Sequence, residues 1–224
     1  MTSLVISASD GHDLDAYVSA PTAPDRGAVV LVQEIFGVNA HIRAQADKFA
    51  ALGYYTIAPA LFDRTVRGLE LGYAPDDIQT AIAAKTAASD ESALLDIAAA
   101  VQHVAVHGPV AVVGYCWGGT LAYLASARLS GIAGAVGYYG AGIPAASNEE
   151  PRVPVLLHFG DADHSISVSD VHRFSEQRPE VELYLYPAGH GFNCDARPSF
   201  NAEASQAAWQ RTALFLQSIF GASQ

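Results

Sequence analysis

The sequence predicts an α/β fold: a mostly parallel central sheet with helices on both faces and an antiparallel hairpin at its N-terminal end. Two observations carry that expectation. From about residue 28 onward, short runs rich in Val, Ile and Leu alternate with longer stretches of helical periodicity, the pattern of repeated βαβ units. Several of the short runs are apolar without interruption, which suits parallel strands buried on both faces.

The elements follow in order. Leu4–Ile6 and Leu14–Val18 flank Asp10-Gly11, a strong turn pair, and read as the hairpin. Strands are expected at Ala28–Val32, Tyr55–Ile57, Val110–Val113, Ala133–Gly137, Val155–His158 and Glu182–Tyr186. Between Ile57 and Val110, Leu94, Ile97, Ala98 and Val101 recur at helix spacing, with Asp90 as the expected N-cap. Leu121, Leu124 and Ala125 begin a helical pattern directly after Gly119. Near the C-terminus Trp209, Ala213, Leu216 and Phe220 form a stripe that reads as core-facing. Residues 62–89, which mix Arg64, Arg67, Gly68, Gly72 and Pro75, are the least regular and are expected to cover one edge of a site. No internal repeat or linker interrupts the chain, so residues 1–224 read as one domain.

Composition narrows the function classes. Of 224 residues, half are hydrophobic and 16% are charged, which excludes a disordered chain. Twelve Lys and Arg against 23 Asp and Glu leave a net charge of −11, and an acidic chain repels phosphate backbones, so nucleic acid is not an expected partner. Two cysteines far apart in sequence form neither a disulfide framework nor a Cys-x-x-Cys pair. The start Met1-Thr2-Ser3-Leu4-Val5-Ile6-Ser7 has no signal-peptide pattern, and no stretch approaches the roughly 20 apolar residues of a membrane span. The expectation is a cytoplasmic protein without a membrane partner. Nothing in the sequence sets an oligomeric state.

The most specific feature is Val112-Val113-Gly114-Tyr115-Cys116-Trp117-Gly118-Gly119-Thr120. An apolar strand runs into Gly-x-Cys-x-Gly and a helix follows at once, the context of a nucleophile elbow. Cys116 would then stand at a helix N-terminus, where the dipole favours thiolate. A thiolate needs a general base and an orienting acid. The strand ending at His158 leads into Phe159-Gly160-Asp161-Ala162-Asp163, and Glu182–Tyr186 leads into Pro187-Ala188-Gly189-His190-Gly191. Nucleophile, acid, histidine is the chain order of α/β-hydrolase triads, with each member following a strand. His190, between two glycines, is the expected base. Asp163 is preferred to Asp161 as the acid, because Asp161 beside Gly160 is naturally a turn residue. His158 and His164 read as bystanders.

On these residues, together with Gln33-Glu34-Ile35-Phe36-Gly37-Val38-Asn39, Gly137-Tyr138-Tyr139-Gly140 and His190-Gly191-Phe192-Asn193, the sequence resembles the dienelactone hydrolase family over nearly its whole length. The resemblance implies an α/β-hydrolase fold and a Cys116–His190–Asp163 triad. It also implies a Glu34 that contacts the thiol and helps control its ionisation. Backbone N–H groups of Ile35 and Trp117 correspond to the oxyanion donors. The implied activity is hydrolysis of a lactone or small carboxylic ester through a thioester intermediate, with no cofactor and no metal.

The family pattern breaks at the substrate-binding arginines. One is expected four residues after the histidine, where this chain has Cys194; the covering segment Tyr73-Ala74-Pro75-Asp76-Asp77-Ile78-Gln79 has no arginine. Arg64, Arg67 and Arg197 read either as replacements for them or as surface charges, Arg64 being carried as the substrate-binding candidate. Phe36, Tyr138 and Tyr139 read as pocket lining or as core, and Cys194 as a packed bystander. Competing readings are a general carboxylesterase or thioesterase, and a hydrolase-fold protein that binds a small ester with poor turnover. A metal-dependent hydrolase is disfavoured, since no His-Glu-x-x-His spacing occurs.

Overall fold

A computed structural model of the chain describes residues 2–23 and 26–221. The ends of the expected 1–224 domain therefore lie outside the described residues. Eight strands form one sheet in the order β1-β2-β4-β3-β5-β6-β7-β8. They are β1 (Thr2–Ser7), β2 (Asp13–Ser19), β3 (Ala28–Val32), β4 (Tyr55–Pro59), β5 (Val110–Tyr115), β6 (Gly134–Tyr138), β7 (Val155–Gly160) and β8 (Glu182–Tyr186). β1 pairs with β2, and β2 with β4, antiparallel; the other neighbours are parallel.

Along β3 and β5 every residue is buried, and successive side chains feed opposite cores. Val29, Leu31, Ala111 and Val113 point to one side; Val30, Val32, Val110 and Val112 point to the other. This two-sided burial is why those strands are uninterrupted apolar runs. The first core is closed by Phe49 of α1 (Ala40–Ala51), Phe174 of α5 (Val168–Gln177) and Phe215 and Leu216 of α6 (Ala202–Phe220). The second is closed by Leu94 and Ile97 of α3 (Asp90–Val104) and Leu121 and Ala125 of α4 (Trp117–Arg128).

Two helical expectations need correction, and the core-facing stripe of the last helix holds in part, with Leu216 buried and Trp209 and Phe220 packed against the first core. Ser89 caps α3, its hydroxyl accepting from the Ser92 amide at 3.0 Å, so Asp90 is the first helical residue. The buried line of α6 is Ala204, Ala208, Thr212, Phe215 and Leu216; Trp209 is half-buried, its ring 4.9 Å from that of Phe49. The segment expected to be irregular contains α2 (Pro75–Ala87). Only Ala81 and Ala84 of α2 are buried, while Ile78 and Ile82 face outward, so its apolar period is faint. Among the described residues no helix is long and apolar enough to cross a membrane.

Candidate active site

The carboxyl ends of the parallel strands share one edge of the sheet, where ligands gather in open α/β folds. β5 ends at Tyr115, and the backbone turns sharply through Cys116 at φ 55° and ψ −118° into α4. A non-glycine residue at positive φ is held there by its surroundings. The Cys116 amide donates to the Tyr138 carbonyl at 2.9 Å. A Cβ on Gly114 would overlap the Gly118 carbonyl, and one on Gly118 would overlap the carbonyls of Val32 and Gln33. The glycines let three stretches of backbone close around the turn.

Asp163 and His190 arrive in the loops after β7 and β8. Cys116 Sγ lies 3.2 Å from His190 Nε2. On the other side of the ring, Nδ1–H donates to Asp163 Oδ2 at 2.8 Å. Asp163 Oδ1 accepts the Ser165 amide at 2.7 Å, and its side chain is fully buried, so the carboxylate is fixed in place. Asp161 is exposed in the turn. Burial alone would lower the His190 pKa. The Asp163 hydrogen bond and the neighbouring Cys116 sulfur outweigh burial and push it up to about 10.

Cys116 and His190 open onto a cleft of about 740 Å³, also lined by Ile35, Phe36, Tyr73, Ile78, His164 and Arg197, while Asp163 stays buried behind the histidine. Trp117 is the first residue of α4, so its amide has no intrahelical acceptor. Its side chain turns away, stacking on Phe62 and donating Nε1–H to Asp90 Oδ1 at 2.8 Å.

Other candidate residues lie elsewhere or meet different partners. Glu34 is 1% exposed, and the thiol is not among its hydrogen-bond partners. Oε1 accepts from Arg197 and Oε2 from the Tyr73 hydroxyl, each at 3.4 Å. Tyr138 is not pocket lining: its buried hydroxyl is 2.6 Å from Thr212 Oγ1, which is 3.0 Å from His158 Nε2. Burial drives the His158 pKa down to about 3, so its ring is a neutral part of the core. Tyr139 is also fully buried, its ring 5.2 Å edge-on to His190 beneath the cleft. Arg64 is not a substrate residue. It holds the buried Asp96 with Nε and Nη2, both at 2.8 Å, and Asp10 with Nη1 at 2.7 Å, and does not line the cleft. Arg67 is held by Asp15 at 2.9 Å.

Of the three arginines considered, Arg197 alone lines the cleft. Gly191, at φ 77°, makes room for it, since a Cβ there would overlap the guanidinium. Tyr73 and Ile78 of the expected covering segment line the cleft, and His41 and Cys194, whose roles no sequence pattern marked, complete the surroundings of Glu34. Tyr73 and Ile78 come from the segment read as irregular.

A sequence profile of the dienelactone hydrolase family matches residues 14–220. The chain belongs to the dienelactone hydrolase family. It is a carboxylic ester or lactone hydrolase of the α/β-hydrolase fold. A carboxymethylenebutenolidase of Pseudomonas putida is 33% identical over 223 residues, covering 94% of each chain. Carboxymethylenebutenolidase 1 of Cupriavidus pinatubonensis is 30% identical, covering 92% of each. A crystal structure from Klebsiella pneumoniae, assigned to the dienelactone hydrolases, is 27% identical with a TM-score of 0.79, covering 98% of this chain and 99% of that one.

Proposed function

We propose that this hydrolase cleaves a small lactone or ester through Cys116, with His190 as proton carrier and Asp163 as its orienting acid. The observation that supports the reading is the unbroken Sγ–Nε2 and Nδ1–Oδ2 chain of 3.2 and 2.8 Å at the floor of the cleft. Cys116 attacks the carbonyl carbon as thiolate, its proton held on His190 Nε2. The resulting oxyanion is received by the amides of Ile35 and Trp117. Collapse expels the alkoxide, which takes the proton from His190 and leaves a Cys116 thioester. His190 then accepts a proton from water, whose hydroxide attacks the thioester and releases the acid and free Cys116.

The names of the relatives describe a butenolide bearing a carboxylate. For such a substrate Arg197 is the cleft cation suited to meet the carboxylate, exchanging Glu34 for it. The test of the mechanism is a small aryl ester mixed with excess protein. With the ester then raised to excess, one equivalent of phenol per protein should appear as a burst, with the acyl mass on the Cys116 peptide. Full turnover by Cys116→Ala would overturn it.

A further inference from the structure

Glu34, His41 and Cys194 each present a ligand atom within 4.8 Å of the others. They are 1%, 6% and 0% exposed. His41 Nε2 has no hydrogen-bond partner, although buried. The hydroxyls of Tyr115 and Tyr139, which sense the Glu34 charge, are also buried without partners. Buried polar atoms are normally paired, so several unmatched ones around a carboxylate indicate a place built for an occupant.

We propose that Glu34, His41 and Cys194 form a binding site for a divalent transition metal of the zinc class. One oxygen, one imidazole nitrogen and one sulfur make a borderline-soft donor set that suits this class better than magnesium or calcium. Zinc–ligand bonds of roughly 2.0–2.3 Å require donors to approach to about 3–4 Å of each other, so the side chains close by about 1 Å. His41 Nδ1 already faces Asp195 Oδ1 at 3.8 Å, the carboxylate-behind-histidine arrangement that orients ligating imidazoles.

Binding forms a metal–sulfur bond and breaks the Cys194 S–H bond, the proton leaving to solvent. The thiolate and the Glu34 carboxylate together balance the two charges of the cation. Arg197 opposes entry, but it occupies Oε1; Oε2 holds only the Tyr73 hydroxyl at 3.4 Å and is the oxygen that turns to the metal. The three residues are widely spaced along the chain, which is why no metal motif is visible in the sequence.

The full chain carrying Cys116→Ala, so that the nucleophile cannot ligate, is titrated with Co²⁺. The expected result is a 1:1 complex with a thiolate-to-cobalt charge-transfer band, displaced by Zn²⁺. Adding Cys194→Ser should abolish the band, and adding His41→Gln should weaken binding by at least about tenfold. Absence of binding overturns the proposal. So does a band that persists with Cys194→Ser in a protein of unchanged circular dichroism. If that variant does not fold, the His41→Gln titration decides alone: unchanged affinity overturns the site.

Discussion

At the scale of single residues, a charge on Arg197 has two claimants, Glu34 and an anionic substrate. Arg197→Ala should raise KM for carboxylate-bearing lactones by at least about tenfold while leaving kcat within a few-fold, since binding is lost and the reacting centre is untouched. Neutral aryl esters should show little change in KM, which separates a binding role from general damage. The same variant leaves a buried carboxylate without its cation and should cost about 1–3 kcal/mol in denaturant unfolding. For Cys116→Ala the expected loss of kcat is at least about a thousandfold, measured on the same esters. The meeting of Cys116, Asp163 and His190 was legible in the sequence because strand ends and flanking glycines punctuate them. The partner of Glu34 was not, because Arg197 reaches it from an irregular segment that carries no periodicity.

At the scale of elements, the geometry of the site depends on how closely α4 approaches the sheet. Gly118→Ala would press a methyl group against the carbonyls of Val32 and Gln33 and lift the start of the helix. Both the Cys116 sulfur and the Trp117 amide move with it. A displacement near 1 Å should lower kcat by about 100-fold in a protein that still folds, which paired kinetics and circular dichroism will read. By contrast, Ser89→Ala removes only the cap of α3 and should cost about 1 kcal/mol in unfolding with kinetics unchanged. The central strands β3, β5, β6 and β7 lie close to their expected positions because burial on both faces leaves a continuous apolar signal, and β2 because one face alternates with the other. α2 was invisible for the opposite reason: two buried alanines give too little contrast with an exposed face that itself carries Ile78 and Ile82.

At the scale of the whole molecule, two histidines make stability depend on pH in opposite senses. His158 has a folded pKa of about 3 against an ordinary 6.5, so the unfolded chain binds its proton more readily. Its contribution is complete above 6.5 and is lost as pH falls toward 3. His190 has a folded pKa of about 10 against 6.5, so its contribution is complete below 6.5 and is lost as pH rises through 10. Urea midpoints should therefore fall on either side of about pH 6.5, on the acid side before ordinary carboxylates titrate near pH 4. His190→Gln should flatten the alkaline limb and leave the acid limb; a limb unchanged by that substitution would contradict the assignment.

The sheet and the covering segments contribute to the cleft in different ways. Cys116, Asp163 and His190 each stand within a few residues of a strand that is hydrogen-bonded to its neighbours, whereas Tyr73, Ile78 and Arg197 stand on connections outside the sheet. On the proposed mechanism, reactivity and selectivity are thus anchored to separate mechanical parts. On that division, exchanging the side chains at Tyr73, Ile78 and Arg197 would change what the cleft accepts while the strand-end atoms keep their positions.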